Sequence, residues 1–414
     1  MDHNLMSYLK NVNISTSDSA SVDSFSRLRT SDPKYVFDSQ FIYGLNPLVF
    51  EQITQESGAS IAHSDPNSCA VLTFASTPTG GKSQLQTFEH FKYQSGRSQL
   101  IFMTFNFIEP MADVVKYLGY SDGSDGIRLE QDGSTIQLTI LSTSSEATET
   151  VTKANWNLDK MDGTGVSGIT MDFTKTQILV IDFQWLGVGR VRVGFDIGGV
   201  LYYVHEFLHA NLTSNVYMRT PNLPLMFGME ASGTVSTTMK AICTSIISEG
   251  GEEDFSHEQN IVSSGSVSAA SGARTHVLSI RPKATFDGIV NRTNILVGEV
   301  DILVLGTSPV KWELCVGDVL TGSTTYSDVN TTYSSVEYNT AGTTSGAPAR
   351  VILAGYVQAS SQSRGAATRK ISTKLPITLD AAGAPRPLGT LTLLATGIGA
   401  SSSIQASISW REMR

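Results

Sequence analysis

The segment with the most chemical potential is His205-Glu206-Phe207-Leu208-His209. Two imidazoles four residues apart, with a carboxylate after the first, form on a helix the arrangement that holds zinc and supplies a general base. That chemistry needs the helix, because the i, i+4 relation is what brings both ring nitrogens to one ion. Here the approach is Gly198-Gly199 followed by Val200-Leu201-Tyr202-Tyr203-Val204, a β-branched and aromatic run that predicts a strand. No further histidine follows in Ala210-Asn211-Leu212-Thr213-Ser214-Asn215, which leaves Glu230 as the candidate for a distant third ligand. On a strand, His205, Phe207 and His209 share one face and Glu206 takes the other, so the expectation is cross-strand packing without a metal or other cofactor.

Weaker constellations resolve in the same direction. Asp122-Gly123-Ser124-Asp125-Gly126 carries carboxylates suited to calcium, but it lacks EF-hand spacing and stands where a turn is needed. Trp156, Trp185 and Tyr202-Tyr203 could stack on sugar rings, although aromatic residues on strands usually belong to the core. Cys69, Cys243 and Cys315 lie far apart, giving neither a disulfide framework nor paired metal spacing, and are expected to behave as small buried hydrophobes. The chain contains no nucleophile elbow, Walker loop or dinucleotide fingerprint. A carboxylate pair for glycan cleavage is defined by separation through space, which linear spacing does not show. With no catalytic residue located, the expectation is a protein that is not an enzyme.

The elements that would position these residues are mainly strands. Ile101, Met103, Phe105 and Phe107 alternate with Thr104 and Asn106, the period of a half-buried strand. Gly126-Ile127-Arg128-Leu129-Glu130, the turn at Asp132-Gly133, and Ile136, Leu138 and Ile140 read as a hairpin. Residues 178–185, 191–195 and 201–205 continue the series, and residues 111–117 are the one short stretch that reads as a helix. Sequential antiparallel hairpins predict a mainly β fold of antiparallel β-sandwich or jelly-roll domains, two in tandem. The expected divisions are an extended docking arm over 1–36, a first sandwich over 37–248, a flexible linker over 249–275 and a second sandwich over 276–414. The Ser/Thr/Tyr-rich residues 320–347 are expected to form a long exposed loop.

The 414 residues exceed what one core usually serves, and only 16% are charged, against about 25% in average globular chains. A formal net charge of -9 with no Lys/Arg-rich run argues against nucleic-acid binding. No stretch approaches the roughly 18 apolar residues of a membrane span, and Met1-Asp2-His3-Asn4-Leu5 lacks the opening of a signal peptide. Synthesis in the cytoplasm without membrane insertion is the expectation. Within the polar, Ser-rich arm, Phe25 and Leu28 are candidate anchors, and Arg27 and Arg29 candidate forked donors, for docking on a partner.

Several segments carry a resemblance. Val22-Asp23-Ser24-Phe25-Ser26-Arg27-Leu28-Arg29 with Tyr35-Val36-Phe37-Asp38-Ser39-Gln40, Gly96-Arg97-Ser98-Gln99, Trp156-Asn157-Leu158-Asp159, Trp185-Leu186-Gly187-Val188-Gly189, the 205–211 segment, Pro221-Asn222-Leu223-Pro224 and Trp410-Arg411-Glu412 together resemble a group of structural proteins of tailed-bacteriophage virions. The resemblance spans nearly the whole chain as short motifs in order. It implies a virion component, most simply a tail- or baseplate-associated fibre or adaptor that forms homo-oligomers and contacts other virion proteins. The alternatives are a capsid-surface decoration or head-fibre protein and, in another class, a tail component that binds or cleaves host-surface glycan. The resemblance carries no catalytic residue onto this sequence.

Overall fold

In the computed structural model, residues 32–250, 256–317, 320–321, 325–344, 348, 350–360, 365–371 and 376–414 are described. These residues form two antiparallel β-sandwiches and contain no α-helix, in agreement with the fold class read from the sequence. The docking candidates Phe25, Arg27, Leu28 and Arg29 lie outside the described residues.

The first sandwich packs an eight-stranded sheet on a seven-stranded one. The larger sheet runs Val200–Phe207, Val191–Ile197, Gln177–Phe183, Ser98–Asn106, Val235–Glu249, Cys69–Thr77, Ala59–Ser64, and Pro33–Gln40 also pairs with Val235–Glu249. The smaller runs Glu149–Thr152, Thr135–Leu141, Gly126–Asp132, Val114–Ser121, Leu225–Ala231, Lys82–Thr87, Phe50–Gln55. Alternation decides which side chains enter the core: Ile101, Met103 and Phe105 are fully buried, while Thr104 and Asn106 turn outward. The hairpins close as glycine allows. Ile197 pairs with Val200 across Gly198 (φ 66) and Gly199 (φ 83), the two left-handed residues that a type I′ turn requires.

Gly228 marks a close approach in the smaller sheet. It pairs with Tyr117, and a Cβ at 228 would collide with the Tyr117 phenol, whose hydroxyl donates to Gln84 Oε1 at 2.8 Å. Gly228→Ala is therefore expected to destabilise the first sandwich by about 1–3 kcal/mol, read as a lower urea midpoint with an unchanged slope.

The second sandwich consists of two six-stranded sheets. One is centred on Asn294–Val304 and Ser402–Met413, the other on Thr275–Pro282, Leu391–Gly397 and Val310–Val316. Trp312 and Trp410 are the largest side chains of its core. At one edge of that core Glu412 is fully buried, accepting from Ser334 Oγ (2.6 Å), Ser335 N and Oγ (both 2.8 Å), Trp410 Nε1 (3.1 Å) and Arg414 (2.9 Å).

Four local expectations need correction. Residues 111–117 are not helical: Val114–Ser121 is an interior strand, because β-branched Val114 and Val115 and the aromatic Tyr117 suit a site with partners on both sides. Residues 33–36 of the expected arm belong to the Pro33–Gln40 strand. The stretch 249–275 contains His257–Val262 and Val267–Ala269, polar edge strands completed by Ser402–Met413. Within 320–347, Ser334, Ser335, Val336 and Asn339 are buried, because Val336–Asn339 joins a sheet and the serines bond Glu412.

The sandwiches meet side by side. Glu51 accepts from Ala381 N (2.7 Å), Asn294 donates to Glu89 Oε1 (3.3 Å) and His90 O (2.9 Å), and Arg386 lies 3.6 Å from the Phe88 ring centroid. His90 is buried in this seam, and desolvation with nearby Arg292 holds its pKa down to about 3. A cavity of about 620 Å³ opens between Phe37, Leu48 and Val49 of the first sandwich and Ile352, Ile371 and Leu388 of the second.

Candidate functional site

Segments distant in sequence converge on one end of the first sandwich. Strand Val200–Phe207 carries His205 and Glu206 at an edge of the larger sheet, opposite Val193 and Arg192. The 156–159 segment lies along that edge. Asn157 N donates to His205 Nδ1 (3.2 Å), its side-chain amide donates to Glu206 O and accepts from Glu206 N (both 2.9 Å), and Leu158 N and Asp159 N both donate to Val204 O (3.1 Å). This blunts an edge that would otherwise offer unpaired backbone groups. Asp159 is held in turn. Burial alone would raise its pKa, but amides of Ser167 (2.7 Å) and Met161 (2.8 Å) outweigh that and lower it.

His209 lies beyond the strand. Its ring stacks on Tyr217 (4.1 Å between centroids, 11° apart), with Nδ1 2.8 Å from Gly189 O and Nε2 2.9 Å from Glu149 Oε1. It thereby joins its own 208–224 connection to the 184–190 turn and to strand Glu149–Thr152. The 184–190 turn is closed by Gly189 N to Trp185 O (2.7 Å) and tied to the 217–218 segment by Tyr217 N to Gly187 O (2.9 Å) and Trp185 Nε1 to Met218 O (3.1 Å). Tyr93 N donates to Asn222 Oδ1 (2.9 Å), and the Tyr120 hydroxyl lies 2.8 Å from Pro221 O.

The structure does not assemble the zinc candidates. His205 sits on the strand against Phe207, His209 has both nitrogens engaged, and Glu230 lies on Leu225–Ala231 in the other sheet, 3.1 Å from both Lys82 Nζ and the Tyr117 hydroxyl. Among the described residues no three His, Cys, Asp or Glu side chains are grouped to hold a metal ion. His209→Ala is expected to destabilise the first sandwich by about 2 kcal/mol through its lost hydrogen bonds and stacking, with a melting temperature that responds to neither zinc nor chelator.

The other candidates have structural duties. Asp122 Oδ1 caps Ser124 N and Asp125 N (both 2.8 Å), and buried Asp125 accepts from Thr143 N (3.1 Å), Thr143 Oγ1 (2.5 Å) and Arg219 N (2.9 Å), so this loop is a braced turn. Trp156 is buried beside Phe195, which removes it from any sugar-stacking surface. Cys69 and Cys315 are buried; Cys243 is only half-buried, lying 3.2 Å from Thr104 Oγ1.

The same end contains a polar cleft of about 370 Å³ that sequence reasoning missed. Asp182 and Arg192 pair directly across neighbouring strands, and Ser98 pairs with Glu249. Arg192 is bonded to Asp182 and stacks 4.2 Å from the Tyr203 ring centroid, while the Tyr203 hydroxyl donates to Asp182 at 2.8 Å. Desolvation and that carboxylate raise the Tyr203 pKa. Ser98 Oγ donates to Glu249 at 2.6 Å. Gly96, Arg97, Gln184 and Arg190 complete the lining, and Arg190 reaches Glu206 only at 3.7 Å. The available signal was local: Asp182 and Arg192 are charged residues flanked by core residues on both sides, hence outward-facing, but their partnership depends on register.

No family model and no curated protein matches this chain. Solved structures do resemble it in part. An endo-1,3-β-glucanase from Streptomyces sioyaensis is 9% identical, with 54% of this chain covering 99% of that one at a TM-score of 0.39. A pseudo β-1,3-glucanase and immunostimulatory antigen of Mycobacterium tuberculosis is 11% identical over 53% of this chain and 99% of its own, TM-score 0.34. Arcelin-5, a lectin-like defence protein from Phaseolus vulgaris, is 10% identical over 54% and 100%, TM-score 0.32. These likenesses concern the sandwich fold and give this chain no activity or substrate. The expectation of a protein that is not an enzyme does not stand on its own ground. It rested on missing local motifs, a test to which carboxylates brought together from separate strands are invisible.

Proposed function

We propose that this chain is a structural subunit of a tailed-phage particle, associated with the tail or baseplate, that self-associates and acts in assembly and host attachment. The observation that carries the reading is a set of large apolar side chains exposed on strand Pro33–Gln40 and on the loop that follows it. Tyr43 is 100% exposed, Tyr35 68%, Ile42 48% and Leu48 41%, and Leu48 also lines the cavity between the sandwiches. Bulky apolar side chains left open to solvent in this way suit burial against neighbouring subunits. The motif resemblance supplies the particle.

Immunogold electron microscopy of purified particles, with antibody against residues 276–414, tests the reading. Gold on the tail or baseplate is expected. Labelling over the head would transfer the same subunit role to capsid decoration, and particles without gold, despite detection of the protein in the lysate, would overturn virion membership. Tyr43→Ser is expected to reduce incorporation into particles at least tenfold while leaving the melting temperature of the isolated chain unchanged.

A further inference from the structure

We infer that the polar cleft between Arg97 and Arg190 binds a carboxylate-bearing saccharide, a uronate unit of a surface polysaccharide. The inference deepens the attachment half of the proposed function and rests on it for its biological sense, while the binding itself is read from the cleft.

The volume of about 370 Å³ falls in the range of small-molecule sites and suits one or two sugar rings. Three guanidinium groups, from Arg97, Arg190 and Arg192, face two carboxylates, Asp182 and Glu249, in a chain whose net charge is -9. The cleft is thus a locally cationic spot on an acidic protein, which selects an anion. The arginines differ in commitment. Arg192 is fixed by Asp182 and the Tyr203 ring. Arg190 is half exposed, has Glu206 no closer than 3.7 Å, and its backbone is anchored by Gln184 N to Arg190 O (3.0 Å). A half-exposed planar donor on an anchored backbone suits bidentate capture of a carboxylate.

The acceptors define the rest of the ligand. Asp182, Glu249 and the Gln184 amide place hydrogen-bond acceptors beside the guanidinium groups. A ligand that fills the cleft must bring hydroxyl donors beside each negative charge. A uronic acid does so on one ring. An acidic peptide brings carboxylates with no hydroxyl donors beside them, and would leave the acceptors of Asp182, Glu249 and Gln184 unmatched.

Isothermal titration of the full chain with a galacturonate trimer is the test, with the neutral galactose trimer and triglutamate as comparison probes. Saturable binding of the galacturonate trimer is expected, at least tenfold tighter than either comparison and weakened at least tenfold by Arg190→Met at unchanged melting temperature. If Arg190→Met fails to fold, Gln184→Ala replaces it and is expected to weaken binding at least threefold. Absence of saturable galacturonate binding, equal affinity for the neutral trimer, or full affinity in a folded variant would overturn the inference, and triglutamate binding as tightly would overturn its saccharide part. Particle labelling is unaffected by any of these results, so loss of the ligand and loss of the particle role are separable.

Discussion

Glu412→Ala is expected to destabilise the second sandwich by about 3–5 kcal/mol, the range for removing one partner from a buried, charged network. The carboxylate organises five donors from Ser334, Ser335, Trp410 and Arg414. Without it, two hydroxyls, an amide and an indole N–H lose their acceptor in a site closed to water. Trp410 is buried in the core beside it, so tryptophan fluorescence during urea unfolding reports the change. A midpoint unchanged from the parent chain would remove the network from any account of stability.

The same group gives the second sandwich an acid limit. Burial would raise the Glu412 pKa, but the hydrogen bonds from Ser334 and Ser335 outweigh it and the pKa is lowered. Glu313, bonded by Arg274 (2.8 and 3.1 Å) and Lys311 (2.9 Å), is lowered to about 2. A carboxylate with a depressed folded-state pKa contributes stability that is fully present above its unfolded value, near 4.3, and is lost as pH falls through the folded one. Stability should therefore decline from about pH 4.5 toward about pH 2, and Glu412→Ala should flatten that decline.

Lys116→Met is expected to destabilise the first sandwich by about 3 kcal/mol, since it removes a buried charge-assisted donor from three carbonyl oxygens at once. Lys116 Nζ lies 2.5 Å from Phe107 O, 2.8 Å from Glu109 O and 3.1 Å from Thr238 O, joining the turn after Ser98–Asn106 to Val235–Glu249. Desolvation lowers its pKa to about 8, the sign of an ammonium group largely removed from water. Methionine retains most of the volume and removes the donors, so the loss isolates the hydrogen bonds. Differential scanning calorimetry that places the loss in the second sandwich would contradict this assignment.

Strands with strict alternation were legible in the chain alone. Ser98–Asn106 was marked by its four buried apolar residues through Phe107, and the Gly126–Asp132 and Thr135–Leu141 hairpin by its glycine turn. Polar edge strands such as His257–Val262 were not legible, because their partner, Ser402–Met413, lies more than a hundred residues away and supplies the order they lack. The cleft was hidden for a related reason. Asp182, Arg192, Ser98 and Glu249 come from four strands, and only register makes them neighbours. The HExxH-like segment was legible as a strand as far as Phe207, but nothing in its spacing announced that His209 would stack on Tyr217.

The pairing of Pro33 with Glu249 has a mechanical meaning. The chain enters and leaves the first sandwich on adjacent strands and at the same pole. Tension drawing residue 33 away from residue 249 therefore meets their ladder end-on and opens it one rung at a time, a zipper geometry far weaker than sliding whole strands past each other. The bonds from Glu51, Asn294 and Arg386 across the seam offer a parallel route around that zipper, so load can pass between the two sandwiches without crossing the weakest rungs.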